Sequence, residues 1–345
     1  MKLRIYATDT DAGTVSVINP EIEVGLVNTI VVGNAPRGAV KFTSNGRGYV
    51  SNCGGDTISE IDLLTEREIG KIQVGLAPRG IGIVPGDRFA LVSNSGSNTV
   101  SIVDLNRRKE VYQIIVGRDP RHMGITPDGR FAFICIWGSQ YVSKINIEEL
   151  RDNNPNFEKV REVSQIYIGQ NYYPYSLTLD SDKQVLYVAN TQGHFMSVID
   201  YSEDKIISHI DVGSKGGRAI ALNADKSLAF LTIENTSEVV FIDTKSLQIV
   251  KRIPTGPGPR GILYNQQLDA LYTAGFDRPS GGVGFLKYSE TQSVTEIKLS
   301  KLWRDFKPSL VSEVDPSVEY RNLDGGKGCC SVSIVDLEST FPGIF

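Results

Sequence analysis

The stretch Gly75-Leu-Ala-Pro-Arg-Gly80, with the residues that follow it, decides the fold because it recurs along nearly the whole chain. After it come an apolar run from Ile81 to Val84, the segments Phe89-Ala-Leu-Val-Ser-Asn94 and Thr99-Val-Ser-Ile-Val-Asp104, and a last segment that ends at Gly117. Short segments rich in β-branched residues, separated by Gly, Asp and Asn turns, are typical of strands. Each repeat therefore predicts four strands.

The glycine that opens the repeat returns at intervals of 42, 42, 52, 44 and 43 residues. These glycines are Gly33, Gly75, Gly117, Gly169, Gly213 and Gly256. A period near 40 with four strands per repeat is typical of a propeller blade. We therefore expect an all-β protein, a seven-bladed β-propeller with four-stranded antiparallel blades, in which residues 1–345 form a single domain.

The two ends of the chain predict how the ring closes. The first residues already match the second, third and fourth strands of a repeat, starting at Ile5, so the inner strand of that blade is missing. A C-terminal strand is expected to supply it, because no sheet edge is then left open. Residues 309–314 and 331–336 are the two candidates, and we favour the second, although its sequence copies a third strand. Residues 301–327 are predicted to be an irregular excursion before it.

The second strand of the repeat ends in a recurring motif. It reads Tyr49-Val-Ser-Asn52, Leu91-Val-Ser-Asn94 and Tyr187-Val-Ala-Asn190, each followed by a polar loop and a variant of Val-Ser-Ile-Val-Asp-Leu. In these residues the chain resembles the YVTN family of β-propeller repeats, from about residue 3 to residue 299. The resemblance implies the fold but no single function, since such propellers serve as binding scaffolds, surface proteins and enzymes.

Composition narrows the classes of partner and the compartment. The chain has 36 basic and 40 acidic residues and a net charge of −4, which does not favour nucleic acid as a partner. No apolar run is long enough for a membrane span, and no secretory signal is seen, so a cytoplasmic location is predicted. Four cysteines are too few for a disulfide framework. The adjacent Cys329 and Cys330 could form a strained disulfide, bind a soft metal or remain free thiols.

Functional residues are expected at the mouth of the central channel, on the face where the loops between blades emerge. One recurring position there follows the proline of the repeat and carries Arg37, Arg79, Arg121, Arg218 and Arg260, with Tyr175 in the fourth blade. Guanidinium groups are suited to bind carboxylate or phosphate. An arginine at such a position can also brace the neighbouring blade by donating to its loop carbonyls, and both interpretations stay open.

A second position, directly after each second strand, opens on the same face. It carries Thr10, Cys53, Ser95, Trp137, Thr191, Glu234 and, less securely placed, Arg278. These residues differ from blade to blade, as a specific ligand requires of a pseudo-symmetric ring, although unconstrained loops also vary. Trp137 offers a stacking surface, Glu234 a carboxylate and Cys53 a thiol.

Two histidines are expected near the same mouth. His122 replaces the glycine of the Pro-Arg-Gly motif, and His194 lies in the loop after Asn190. With Glu234 they are the predicted catalytic residues, either as a general-base cluster or as a site for a divalent metal ion formed by two histidines and one carboxylate. Either role requires side chains from three neighbouring blades to converge.

The tetrapeptide Pro120-Arg-His-Met123 resembles a Pro-Arg-His motif of the propeller-type 6-phosphogluconolactonases and their muconate-lactonizing relatives, which act on anionic lactones. The resemblance implies binding or catalytic roles for Arg121 and His122. A histidine pair with a glutamate is also similar to virginiamycin B lyase. The expected function is thus a small-molecule enzyme of lactonase, lyase or isomerase type with an anionic substrate. The alternative is a non-catalytic YVTN propeller that binds a small ligand or a protein partner.

Overall fold

The structure is a computed structural model that describes residues 3–19, 26–266, 269–276, 283–288, 318–322 and 329–336. Its strands form seven four-stranded antiparallel sheets. Six of them, called blades one to six, each consist of four consecutive strands. The remaining sheet, called the composite sheet, is formed by strands from both ends of the chain, in the order β28 (Cys329–Asp336), β1 (Leu3–Asp9), β2 (Thr14–Ile18) and β3 (Leu26–Val31).

The first strand of each blade is its inner strand, and the other strands follow outward in sequence order. Blades one and two contain β4 (Pro36–Thr43), β5 (Arg47–Asn52), β6 (Thr57–Asp62), β7 (Arg67–Gln73), β8 (Pro78–Ile83), β9 (Phe89–Asn94), β10 (Thr99–Asp104) and β11 (Lys109–Ile115). Blades three and four contain β12 (Pro120–Ile125), β13 (Phe131–Ile136), β14 (Tyr141–Asn146), β15 (Arg161–Tyr167), β16 (Pro174–Asp180), β17 (Val185–Asn190), β18 (Phe195–Asp200) and β19 (Lys205–Asp211). Blades five and six contain β20 (Gly217–Leu222), β21 (Leu228–Ile233), β22 (Glu238–Asp243), β23 (Gln248–Pro254), β24 (Pro259–Asn265), β25 (Ala270–Gly275), β26 (Val283–Tyr288) and β27 (Val318–Asn322).

The structure corrects the predicted number of blades. Six blades, not seven, are made of consecutive strands, and the composite sheet fills the place between blade six and blade one. Of the two candidates for its inner strand, the segment 331–336 is the one that pairs with β1, as part of β28. In this register Cys329 pairs with Asp9, as Pro78 pairs with Asn94 in blade two. Cys329 therefore occupies the proline position of the repeat, and Cys330 occupies the arginine position.

The segment predicted as an irregular excursion also needs a correction. Its residues 318–322 form β27, which pairs with β26 as the outer strand of blade six. The repeat was expected to end near residue 299, but the outer strand of this blade lies much further along the chain. The other candidate closing strand, residues 309–314, lies outside the described residues.

The asparagine that ends the second strand ties three strands of a blade together. In blade two, Asn94 donates through Nδ2 to Ser101 Oγ at 2.8 Å, and Ser101 Oγ donates to Glu110 on the outer strand. Blade one repeats the series with Asn52, Ser59 and Glu68, and blade four with Asn190, Ser197 and His209. Buried polar groups need such partners, so these bonds explain why the motif recurs.

The recurring glycine packs against the same asparagine. A Cβ atom on Gly75 would lie 2.6 Å from Asn94 Nδ2, and one on Gly33 would lie 2.3 Å from Asn52 Cγ. Real Cβ atoms do not approach other heavy atoms so closely, so these positions have no room for a side chain. The period of about 42 residues seen in the sequence therefore reflects a contact between blade entry and second strand.

The inner strands close into a ring around the central channel. Strands β4, β8, β12, β16, β20, β24 and β28 contact one another in this order, and β28 contacts β4. Hydrophobic clusters fill the spaces between neighbouring sheets. On the two sides of the composite sheet, Tyr6 and Val17 cluster with Val40 of blade one, while Ile5 clusters with Tyr272 of blade six.

The connection between β14 and β15, an insertion in blade three, contains two 3₁₀ helices, Glu148–Arg151 and Phe157–Lys159. Its Phe157 ring contacts Phe89 and Tyr112 of blade two. Cys135 is buried within its strand. Among the described residues, no helix combines the length and the apolar character needed to cross a membrane.

Candidate functional site

A local irregularity in each inner strand builds the channel mouth. In blades one to six the register with the second strand shifts at the start of the inner strand, next to the arginine position. Such β-bulges redirect side chains and are frequent next to functional sites. The residue two before each arginine position has a positive φ, namely Ala35, Ala77, Asp119, Tyr173, Gly216 and Gly258. The turn and the bulge together present the arginine position on the rim.

The carbonyl of that turn residue joins the two predicted sets of positions. It accepts a hydrogen bond of 2.8–3.1 Å from the backbone N–H of the residue after the second strand. The donors are Cys53, Ser95, Trp137, Thr191, Glu234 and Phe276. Phe276, and not Arg278, thus occupies the position in blade six, and Arg278 lies outside the described residues.

Blades three to six carry a continuous series of paired side chains, called the paired half of the mouth. The Arg121 guanidinium lies 5.0 Å from the Trp137 ring and 5.7 Å from the Tyr175 ring. The Arg218 guanidinium lies 4.8 Å from the same Tyr175 ring. Glu234 then accepts from both Arg218 and Arg260. At its two ends the series is completed by Asp119, which accepts from Arg121 at 2.6 Å, and by Phe276, 3.7 Å from Arg260.

Blades one and two form the open half of the mouth. Arg79 donates through Nε to Ser95 Oγ at 3.0 Å but has no carboxylate partner among the described residues. Within the same residues the Arg37 guanidinium has neither a hydrogen bond nor an ion pair, and its Nε is buried. Burial, and then the charges of Arg121 and Arg37, lower the pKa of Arg79. The guanidiniums of the open half therefore have no carboxylate partner among the described residues.

The predicted bracing role is not what these side chains show. In the part of the chain that the structure describes, none of the five guanidiniums donates to a carbonyl of a neighbouring blade. Serine hydroxyls link the blades instead, since Ser51 donates to the Arg79 carbonyl at 2.7 Å and Ser176 to the Arg218 carbonyl. The backbone of the arginine position thus joins the blades, and among the guanidiniums Arg260 of blade six also links to blade five, through the Glu234 carboxylate.

His122 extends from the inner strand of blade three into the channel. Its ring lies edge-on to Tyr175, with centroids 5.1 Å apart. On the other side, a Cβ atom on Gly38 would lie 3.7 Å from His122 Cε1. The imidazole is therefore placed between the paired half and the open half.

The surroundings of His122 keep its ring neutral. Burial, followed by the charges of Arg79, Lys41, Arg121 and Arg218, lowers its pKa to about 3. A neutral imidazole offers one nitrogen as a hydrogen-bond acceptor to a bound molecule.

A cavity of about 130 Å³ lies within the channel next to His122. Its lining comes from the inner strands of all six blades and includes Lys41, His122, Arg218 and Arg260, with apolar side chains between them. None of the described lining residues is acidic. The cavity is thus small and basic, and Lys41 is a lining residue that the two recurring positions of the repeat did not reveal.

The predicted catalytic residues lie in different surroundings. His122 faces the channel, Glu234 is held by two arginines, and His194 is exposed with its ring against Phe195. Among the described residues, no group of three His, Cys, Asp or Glu side chains lies close enough to hold a metal ion. His122, His194 and Glu234 therefore do not form the divalent metal site considered from the sequence. Cys53 is a free cysteine, partly exposed on the open half.

A larger groove of about 1010 Å³ lies on the insertion of blade three. Its lining alternates acidic and basic side chains, with ion pairs between Lys159 and Glu149 and between Arg151 and Glu148. None of the residues predicted from the sequence as site residues lines it. We therefore regard the channel, and not this groove, as the candidate functional site.

Comparison with known proteins supports the fold. The uncharacterized protein YncE of Salmonella typhi is 31% identical over 100 residues, and the match spans 28% of this chain and 28% of that protein. Two solved structures, provisionally assigned as 6-phosphogluconolactonases, are similar over nearly their whole length. The one from Bacteroides uniformis has a TM-score of 0.74, 15% identity and a coverage of 96% of this chain and 99% of that chain. The one from Bacteroides fragilis has a TM-score of 0.73, 14% identity and a coverage of 97% and 98%.

At this level of identity the comparison shows that the architecture is shared, but it does not show a shared activity. No family model matches the sequence. Membership of the YVTN family accordingly stays a prediction that rests on the repeat motif.

Proposed function

We propose that this protein is a small-molecule enzyme of lactonase, lyase or isomerase type that binds an organic anion at the channel mouth. The observation that carries the proposal is the charge balance of the site. Five arginines and Lys41 lie at the channel, and the carboxylates that pair with these arginines among the described residues, Asp119 and Glu234, both belong to the paired half. An unneutralised cluster of guanidiniums favours a bound carboxylate or phosphate, which would replace the missing counter-charge.

The open half is the proposed binding position. Arg37 has no partner in the described residues, Arg79 has only a serine hydroxyl, and His122 faces both. An anion held there would offset the positive charges that lower the pKa of His122, so the imidazole beside it could accept a proton, as the three reaction types require. The two structural neighbours that are provisionally assigned as lactonases are consistent with this reaction class.

A thermal-shift experiment tests the binding step. Citrate, phosphate and sugar acids are compared with sulfate, and the most effective anion is expected to raise the unfolding midpoint more than sulfate does. The gain should weaken as sodium chloride increases, because added ions screen the contact. If no anion exceeds sulfate, the proposed site is wrong.

A matched pair of variants locates the site. Arg37→Gln removes the unpartnered guanidinium, and Arg67→Gln removes an exposed one on the outer strand β7. We expect Arg37→Gln to weaken the anion at least tenfold, about 1.4 kcal/mol, and Arg67→Gln to leave it unchanged. Equal effects would show that the anion senses only net charge. Anion binding without turnover of any lactone or hydroxy acid would instead favour the non-catalytic scaffold.

A further inference from the structure

Lys41 lies deep in the channel on β4, the inner strand of blade one. It lines the 130 Å³ cavity together with His122, Arg218 and Arg260. Elsewhere the cavity wall is largely apolar and is formed by Ile81, Met123, Leu177, Ile220 and Ile262. A lysine on such a wall presents its amine to a small, enclosed space.

The amine has no partner that would hold it. Among the described residues Lys41 makes no hydrogen bond and no ion pair, in contrast to Lys144, which reaches the Tyr201 carbonyl and Asp204 at 2.8 Å each. Burial lowers the pKa of Lys41. A lowered pKa favours the unprotonated, nucleophilic form of an amine, and lysines in apolar surroundings form Schiff bases with carbonyl compounds.

We propose that Lys41 forms an imine with a small carboxylic acid that also carries an aldehyde or ketone group and that enters the channel from the arginine-lined mouth. The Nζ lone pair attacks the carbonyl carbon, the C–N bond forms, and the carbonyl oxygen leaves as water with the two hydrogens of the amine. No oxidant or reductant is needed. His122, which lines the same cavity, is the group that would carry protons between nitrogen and oxygen.

The size and charge of the cavity set the class of substrate. A volume of about 130 Å³ corresponds to roughly four water molecules at about 30 Å³ each, so the substrate is a short chain. The choice of an acid rests on the proposed anion site, since the arginines would hold the carboxylate while the carbonyl carbon reaches Lys41. The reactivity of the amine itself does not depend on that site.

Reductive trapping tests the inference on the full chain. The protein is incubated with glyoxylate and sodium cyanoborohydride, and the adduct is located by intact mass and peptide mapping. We expect Lys41 to be the main site of modification, and its adduct to form at least tenfold faster than an adduct at the exposed Lys109 of β11. Lys41→Arg keeps the charge and should abolish this adduct, whereas Lys109→Arg should not. Adducts spread over surface lysines without Lys41 would overturn the inference, and mapping of the unmodified sequence gives this answer even if a variant fails to fold.

A second arm separates this inference from the proposed function. Citrate, which has no reactive carbonyl group, should slow the trapping at Lys41, and so should Arg37→Gln. If anions bind but glyoxylate never reaches Lys41, the imine is wrong and the anion site stands. If Lys41 is trapped equally fast with citrate and in Arg37→Gln, the nucleophilic amine stands and the anion site is wrong.

Discussion

Tyr175 shows how single residues shape the mouth. It occupies the arginine position in blade four, between Arg121 and Arg218. A guanidinium there would add a third like charge to the pair, whereas the aromatic ring is attracted to both cations. The exception to the repeat thus stabilises the paired half and leaves the open half as the part with unneutralised charge.

Glu234 offers a test of the charge balance. Glu234→Gln removes the carboxylate that holds Arg218 and Arg260, so we expect the free energy of unfolding to fall by about 1–3 kcal/mol. The same change should strengthen anion binding, because two further guanidiniums become available. Urea unfolding and anion titration measure the two effects. Glu238→Gln, which breaks a single pair with Arg252, is the control and should leave anion affinity unchanged; weaker binding in Glu234→Gln would contradict the account.

His122 should affect how stability depends on pH. Its pKa is lowered from 6.5 to about 3 in the folded protein, so on acidification below pH 6.5 the unfolded chain takes up a proton that the folded chain does not. The folded state therefore loses stability as the pH falls from about 6.5 toward 3, and the loss is absent above 6.5. We expect His122→Gln to lose less stability between pH 7.5 and 5 than the unmodified protein. Parallel pH curves for the two would show that the imidazole is not held neutral.

At the scale of elements, the contact between the recurring glycine and the asparagine of the second strand should be essential. Gly75→Ala places a Cβ atom 2.6 Å from Asn94 Nδ2, and the buried asparagine is already held by Ser101, so we expect a loss of about 1–3 kcal/mol. Gly55→Ala meets nothing closer than 3.8 Å and should change stability by less than about 0.5 kcal/mol. Urea unfolding of both variants measures the difference, and similar midpoints would show that the contact is not essential for stability.

The strands could be predicted because each blade repeats the same local signals. The asparagine motif, the glycine and the turns recur at a constant interval, and the structure shows that each of them makes the same contact in several blades. Strand β27 could not be predicted this way. Its sequence Val318-Glu-Tyr-Arg-Asn322 is separated from β26 by a long segment, which breaks the interval of the repeat. Only pairing with β26 places it in blade six.

The site was predictable where it follows the repeat. The two recurring positions identified the rim, including Trp137 and Glu234, but in blade six the position was assigned to Arg278, two residues beyond Phe276. Lys41 was missed because it lies inside an inner strand and not in a loop. One signal was present, since the fifth residue after the opening proline is apolar in other inner strands, as at Ile83, Ile125 and Leu179. The separation into paired and open halves depends on side-chain contacts across blades, which no spacing in the sequence reveals.

At the scale of the whole molecule, stability should depend on closure of the ring by β28. This strand covers β1, whose Leu3 and Ile5 are fully buried. Deleting residues 329–345 should expose both, at a cost of about 3–6 kcal/mol, and lower the unfolding midpoint. Deleting only residues 337–345 keeps β28 and is the control. Equal midpoints for the two truncated proteins would mean that β28 does not hold the ring closed.

The asymmetric charge of the channel is the feature on which the functional account depends. A crystal structure of the protein grown with the anion that most raises its unfolding midpoint tests it directly. We expect the anion in the channel mouth, within hydrogen-bond distance of the Arg37 and Arg79 guanidiniums and beside His122. An anion bound only on the outer surface, or a mouth that holds water alone at saturating anion, would contradict the account.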